Sequence, residues 1–342
     1  MKLLTIVIPS YNSEKFILDC LNSLLIGEDE NLDVIVINDG SKDATSELAH
    51  GFAKEHPFVR VVDKENGGHG SGINKGIELA EGLYLKVLDS DDFLEKEGLV
   101  HLLRTIERHI KEEHLPDLYL ADYHSCPQGT DIKTPVSIKH RVKKVEEFIT
   151  FNDIKGFKST EFLMIHMTFV KTSFLRDTKM HLLEKTFYED NQFVFHLVKY
   201  VDSIYYLEKS IYLYSVGRDG QSISLTSADK NYPHQFRVIR ACVDDLTYEE
   251  YKAMDKGRQY NIRHELFIIS VVTYFYTYII PRKEKKKMYS DFIKYFRKSN
   301  PKIFRVVRFK SPAFWLWFCP PFLRGFATKI GYKKVGRKEG WK

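Results

Sequence analysis

Hydrophobic positions in the first third of the chain fall into short continuous runs separated by stretches with helical spacing. Leu4–Ile8, Leu32–Ile37, Phe58–Val62 and Leu83–Leu88 predict four strands buried on both faces. Between the first two, Phe16, Ile17, Cys20, Leu21, Leu24 and Leu25 share one helical face, and Asn12 or Ser13 stands where an N-cap belongs. Ala44, Leu48, Ala49 and Phe52 repeat that pattern behind Ser41, and a third helix is predicted from about Ser71 to Glu81. Strands alternating with helices of this length indicate an α/β fold with a mostly parallel, Rossmann-like sheet covered by helices on both faces.

Beyond residue 122 the pattern changes. Residues 123–225 are irregular, with an acidic cluster, Tyr188-Glu189-Asp190-Asn191, opening a helix, and a turn-rich stretch, Gly217–Ser222. Residues 226–342 read as helices ending in a basic aromatic tail. The expected organisation is a catalytic domain over 1–225, with a donor half at 1–122 and an acceptor half at 123–225, and then a helical region over 226–342. The longest apolar run, Leu266–Ile280, falls short of the roughly 20 residues needed to span a bilayer and reads as a buried helix.

Charge sharpens this division. From Pro281 to Lys342 there are 19 Lys/Arg against 3 Asp/Glu, a net +16, which leaves −10 on the rest of a chain whose total is +6. An acidic body with a basic end suggests an anionic partner for that end. Phe304, Phe309, Phe314, Trp315, Trp317, Phe318 and Phe322 interleave with its cations, a composition suited to an anionic membrane surface. A basic helical subdomain or a dimer contact fits the same residues. Pro312, Pro320 and Pro321 argue against a spanning helix there. The N-terminus has no signal-peptide pattern, and Cys20, Cys126, Cys242 and Cys319 lie far apart with no C-x-x-C pair. Reduced thiols and a cytoplasmic, peripherally membrane-bound location are expected. No element for reading nucleic acid stands out.

In open sheets of this kind, ligands bind beyond the carboxyl ends of the strands. The residues delivered there are Ser10, Tyr11 and Asn12; Asn38, Asp39 and Gly40; Asp63 to Gly68; and Asp89, Ser90, Asp91 and Asp92. Three carboxylates within four residues repel one another, and a divalent cation relieves that repulsion. A solvated acidic turn or a helix N-cap is the simpler reading of the same four residues. Gly67-Gly68-His69-Gly70-Ser71-Gly72 could offer backbone N–H groups to phosphate. It fails the dinucleotide pattern at Ile73, and it lacks the Gly-Lys-Ser/Thr of a P-loop.

These segments carry a resemblance. Ile6-Val7-Ile8-Pro9-Ser10-Tyr11-Asn12, Val36-Ile37-Asn38-Asp39-Gly40-Ser41-Lys42-Asp43, Asn66-Gly67-Gly68, Asn74-Lys75-Gly76, Ala80-Glu81-Gly82 and Leu88-Asp89-Ser90-Asp91-Asp92 resemble, in order and spacing, the motifs of family 2 glycosyltransferases of bacterial type. The resemblance covers about the first 95 residues. It implies a GT-A fold, an inverting mechanism and a divalent metal, Mn²⁺ or Mg²⁺. By resemblance, Pro9 and Tyr11 border the nucleobase, Asp39 accepts the uracil imide N–H, and Gly67, Gly68, Asn74 and Ser90 line the donor. Asp89 contacts ribose or a metal-bound water and counts with Asp91 as a metal residue, Asp91 ligating the ion that bridges the diphosphate. Glu189-Asp190 resembles the family's catalytic pair, with Asp190 as the base. Arg218 and Ser222 resemble a segment that meets the donor diphosphate or the acceptor. The family often has a basic residue where this chain has Ile73, so the positive charge near the donor lacks an obvious source. Lys75 and Lys86 are candidates, although each also reads as an ordinary surface lysine. His234 is a weaker candidate metal ligand.

The expected activity is metal-dependent, inverting transfer of a hexosyl group from a UDP-sugar to a hydroxyl on a glycan or lipid-linked acceptor, in surface polysaccharide, teichoic acid or related synthesis. Two other readings compete: a sugar nucleotidyltransferase, and a non-catalytic membrane-associated scaffold. The sugar, the acceptor, the linkage and the oligomeric state are not legible from the residues.

Overall fold

The computed structural model describes residues 2–158, 161–217, 221, 225–278 and 283–310. Its chain forms two compact units that are not contiguous in sequence. The first takes Met1–Asp153, Met164–Lys185 and Tyr200–Val216; the second takes Ile154–Leu163, Thr186–Lys199 and Gly217–Lys342.

The first unit is built on one sheet. Its strands are β1 (Leu4–Ser10), β2 (Leu32–Asn38), β3 (Val59–Asp63), β4 (Tyr84–Val87), β5 (Phe93–Leu94), β6 (Leu118–Pro127), β7 (Thr134–Val136), β8 (Phe148–Ile149), β9 (Thr168–Lys171) and β10 (Ile204–Val216). The order is β3-β2-β1-β4-β9-β6-β10-β5, with β7 on β6 and β8 on β10. The first four run parallel, as do β6 and β10, whereas β9 and β5 pair antiparallel with their neighbours. Every residue of β1, β2 and β4 is buried, which accounts for their unbroken apolar runs.

The helices of this unit are α1 (Ile17–Asn22), α2 (Thr45–Glu55), α3 (His69–Leu79), α4 (Lys96–Lys111) and α5 (Thr172–Asp177). Glycine lets α3 lie directly on β1. A Cβ at Gly76 would stand 2.2 Å from Val7 Cγ1, and one at Gly72 2.9 Å from Pro9 Cβ. The expected caps are absent. Helix α1 follows Phe16, and α2 follows Ala44, with no side-chain cap at either. Instead Ser13 receives the first α1 amides on its carbonyl and places its hydroxyl 2.6 Å from that of Ser90. The Ser41 hydroxyl accepts the Asn12 N–H at 3.0 Å, and Asn12 Oδ1 accepts the Lys42 N–H at 2.9 Å. These side chains tie the loop after β1 to the loop after β2, because that contact satisfies more polar groups than a cap would.

The second unit contains most of α6 (Asp190–Tyr200) together with α7 (Leu225–Asp244), α8 (Tyr248–Ala253), α9 (Lys256–Tyr278), α10 (Lys283–Ser299) and α11 (Pro301–Lys310). Aromatic contacts dominate its interior, among them Tyr188 on Tyr276 and Phe236 against Tyr289 and Phe292. The run from Leu266 lies in α9, with Leu266, Ile269 and Tyr274 buried, and Ile279 and Ile280 fall outside the described residues. Among the described residues no helix is long and apolar enough to cross a membrane. Phe304 corrects one expectation. It is buried against Phe296, ring centroids 5.4 Å apart, so it belongs to this unit's core rather than to a membrane-facing stripe. Phe314, Trp315, Trp317, Phe318 and Phe322 lie outside the described residues, as do Pro312, Pro320, Pro321 and Cys319.

Candidate active site

Strand β2 ends in Asn38, and Asp39 follows in a turn that Gly40 completes with φ +72°. Asp39 is buried and works as a latch. Its Oδ1 accepts the Gly67 N–H at 2.8 Å and the Lys64 ammonium at 2.6 Å, and its Oδ2 accepts the Gly68 N–H at 2.7 Å. The Asn66 amide adds a bond to the Asp39 carbonyl at 2.9 Å. Gly67 and Gly68 therefore aim their N–H groups at a carboxylate of their own chain rather than at open space. Of the roughly four acceptor positions of a carboxylate, three are occupied and one on Oδ2 remains. Lys64 also supplies a positive charge at this rim that the sequence reading did not single out.

The Asp39 latch sets the start of α3, and with it His69. The His69 Nε2 lies 3.0 Å from Asp89 Oδ1. Burial opposes ionisation of Asp89, but the hydrogen bond and charge of His69, helped by His166 and Lys86, outweigh it and hold the carboxyl at about 2. Asp92, fully buried, is pushed the other way by its burial and by the charges of Asp89 and Asp91. Its Oδ2 accepts the Tyr212 hydroxyl at 2.6 Å and its Oδ1 the Ser215 N–H at 2.8 Å, both from β10. The Asp89 N–H donates to the same Tyr212 oxygen at 3.3 Å. His166 stacks on Tyr212 with ring centroids 4.5 Å apart. Asp89, Asp92 and His166 each present a ligand atom, all within 4.8 Å of one another. Donors around a ~2.1 Å octahedral ion stand ~3–4 Å apart, so small side-chain adjustments would close this set on a cation. Two carboxylates and an imidazole suit a first-row divalent ion such as Mn²⁺ at least as well as Mg²⁺. Asp91 is half-buried on the same loop and is not part of that group.

Other expected residues have defined places. Tyr11, 49% exposed, offers a free ring face just past β1, while Pro9 is buried within the strand against Gly72. Ser90 is buried in its bond to Ser13. Asn74 has a different partner from the one expected. Its amide donates to the Leu182 carbonyl at 3.0 Å and accepts the Leu182 N–H at 2.8 Å, clasping the segment after α5. Lys75 pairs with Glu78 on the surface. Lys86 is not a surface lysine: it has no exposed area, because β4 is covered on both faces.

In the second unit, Asp190 opens α6 half-buried and accepts the Asn191 side-chain amide at 3.0 Å. Glu189 is buried. Tyr188 before them has φ +70°, a left-handed conformation uncommon for a bulky residue. His234 accepts the Phe187 N–H at 3.0 Å on Nδ1 and stacks on that ring, so one of its two nitrogens is already engaged. Arg218 and Ser222 lie outside the described residues. His69, His166 and Tyr212 are the site members to which the sequence reading gave no role, and Asp92 it named only within the acidic run. Asp92 was visible in the acidic run and His69 in the glycine loop, but nothing local marks His166 or Tyr212.

The comparisons with known proteins agree with this architecture. The glycosyl transferase family 2 model matches residues 5–174. A putative glycosyltransferase EpsH of Bacillus subtilis is 39% identical over 101 residues, 30% of this chain and 29% of that protein. A chondroitin synthase of Pasteurella multocida is 26% identical over 304 residues, 85% of this chain but 29% of that protein. The chain thus spans less than a third of the length of these curated relatives. Among solved structures, S. aureus TarS residues 1–349 in complex with UDP-GlcNAc superposes with a TM-score of 0.67 at 21% identity, covering 100% of this chain and 93% of that one. A Pyrobaculum calidifontis mannosyltransferase in complex with GDP-Man and Mn²⁺ gives 0.54 at 12% identity, covering 99% and 87%. These likenesses establish the GT-A architecture. The family match and the motif-bearing strand tips place the chain in glycosyltransferase family 2.

Proposed function

We propose that the protein transfers a sugar from a UDP-sugar to an acceptor hydroxyl, with inversion and with help from a divalent cation. The observation that carries this reading is the rim of the first unit, where an exposed Tyr11, the Asp39 latch and the acidic loop Asp89–Asp92 all follow strand ends of one sheet. Tyr11 would stack on the base, and the remaining acceptor position of Asp39 would take the imide N–H that distinguishes uracil. The TarS relative in fold was crystallised with UDP-GlcNAc and with UDP, and the mannosyltransferase with Mn²⁺, which supports this donor chemistry.

By resemblance the cation would be held by Asp89 and Asp91, and the geometry adds Asp92 and His166, whose ligand atoms lie within 4.8 Å of that of Asp89. When bound, such an ion offsets the charge that develops on the departing diphosphate. Asp190 would take the proton from the acceptor hydroxyl as that oxygen attacks the anomeric carbon, and Glu189 would support it. Arg218 is assigned to the donor diphosphate by resemblance, with the planar fork suited to phosphate. The acceptor is a glycan or lipid-linked hydroxyl of surface-polysaccharide or teichoic-acid type. One further observation favours contact with an anionic membrane. Lys283, Lys286, Lys287, Lys294, Arg297 and Lys298 are all exposed on α10 and fall on one stripe, opposite the buried Tyr289, Phe292 and Phe296.

The test is UDP release from a panel of UDP-sugars, with and without Mn²⁺ or Mg²⁺. Release should require metal and fall at least ~100-fold in Asp91→Ala and in Asp190→Ala. Undiminished turnover in either variant would remove that residue from its role. Pyrophosphate instead of UDP as product would make the protein a nucleotidyltransferase.

A further inference from the structure

Lys86 lies on β4 three residues before Asp89, with no solvent exposure. Burying an ammonium in an apolar strand is costly unless it is fully bonded. Here it is: Nζ donates to the carbonyl oxygens of Ile165 at 3.0 Å, His166 at 2.6 Å and Thr168 at 3.3 Å. Carbonyl oxygens only accept, so three such bonds need three N–H groups, and a neutral amine has two. The geometry is that of a charged ammonium. Two ring faces complete its cage, Phe169 at 4.8 Å and Tyr212 at 4.7 Å from Nζ to centroid.

Two members of this cage, His166 and Tyr212, are tied to the acidic cluster. The turn that Lys86 holds by its carbonyls carries His166. The ring it lies over is Tyr212, whose hydroxyl binds Asp92 and receives the Asp89 N–H, and on which His166 stacks. Burial pulls the Lys86 amine toward its neutral form and the charges of Asp89 and Asp92 oppose it; the three carbonyl acceptors decide for the charged form. We infer that Lys86 is a built-in counter-cation and positioning residue for the Asp89–Asp92–His166 cluster. It offsets the mutual repulsion of the two carboxylates and fixes the imidazole, so that the cluster is assembled before any metal arrives. A fixed positive charge at this position also weakens the hold on a divalent ion, which keeps the cation exchangeable.

This inference rests on the cation-binding reading of the cluster, and its test separates the two. The full-length chain and Lys86→Gln are compared by thermal melting across a MnCl₂ titration, with free Mn²⁺ followed by electron paramagnetic resonance. Glutamine is neutral but keeps two N–H donors for the carbonyls. The variant should melt lower without metal, gain more from Mn²⁺ than the wild type, and bind Mn²⁺ at least about tenfold more tightly, the effect of one unit charge on a divalent ion ~6 Å away even under full water screening. A Lys86→Gln chain that folds only when refolded with Mn²⁺ supports the inference more strongly, since metal then replaces the missing charge. Equal or weaker Mn²⁺ binding by the variant, or failure of Mn²⁺ to recover it, overturns the counter-cation role and leaves Lys86 a tie for the Ile165–Thr168 turn. A wild-type chain that ignores Mn²⁺ overturns the cation site itself.

Discussion

Asp39→Asn separates what the Asp39 carboxylate does for the protein from what it would do for a nucleotide. The neutral amide has one acceptor oxygen. Placed as Oδ1 is now, it keeps the Gly67 N–H and Lys64, and it turns its own NH₂ toward the Gly68 N–H, which at present donates to Oδ2 at 2.7 Å. Leaving this partly buried donor without an acceptor costs about 1–3 kcal/mol. The Gly67 bond loses its charge assistance and the Lys64 ammonium loses its counter-charge, adding about 1 kcal/mol or more. A total of about 3 kcal/mol lowers Tm by about 6–12 °C in a domain of about 150–250 residues. The assay is thermal melting without nucleotide, beside Tyr11→Ala, which alters an exposed ring outside the latch. Tyr11→Ala should melt like the wild type while losing UDP affinity. If Asp39→Asn melts within about 1 °C of wild type yet no longer binds UDP, the latch contributes nothing to stability and the argument fails.

Two further outcomes test the packing and the electrostatics. Gly76→Ala gains about 1 kcal/mol of helix propensity but forces a Cβ to 2.2 Å from Val7, whose side chain is buried in β1; net destabilisation of about 1–3 kcal/mol is expected, partly relieved by a second change, Val7→Ala, and equal melting of the single variant and wild type would contradict the close approach. Glu265 in α9 is pushed by its burial from 4.5 to about 8, so the unfolded chain releases this proton first, and the group's contribution makes stability fall as pH rises from about 4.5 to about 8. Glu265→Gln should flatten that fall, by at most about 4–5 kcal/mol, and a pH–melting curve unchanged by the substitution would show that the carboxyl is not held neutral.

The first four strands were legible because a strand buried on both faces leaves a continuous apolar run, and β1, β2 and β4 are such strands. The glycine motifs were legible for a related reason: Gly76 and Gly82 stand where α3 and the turn before β4 press on β1, and only glycine fits there. The same logic contained a missed signal. Lys86 interrupts an apolar run read as buried on both faces, so it should have been expected inside. The caps failed because Ser13 and Ser41 had competing partners across loops, which local spacing does not reveal. His166 and Tyr212 lie 74 and 120 residues beyond Asp92, so their roles depend on sheet order rather than on any nearby pattern. The clasp of Asn74 on Leu182, 108 residues on, was hidden for the same reason.

The place of β10 in the sheet has a consequence for how the molecule is made. It lies between β6 and β5, yet it is the last of these strands to leave the ribosome. At about 5–20 residues per second, translation reaches it roughly 5–20 s after β5 emerges. During that interval β3-β2-β1-β4 already has all its members, while Asp92 lacks both the Tyr212 hydroxyl and the Ser215 amide that will pin it. A nascent chain stalled before Tyr212 therefore has strands β1–β4 in hand and an untethered acidic loop.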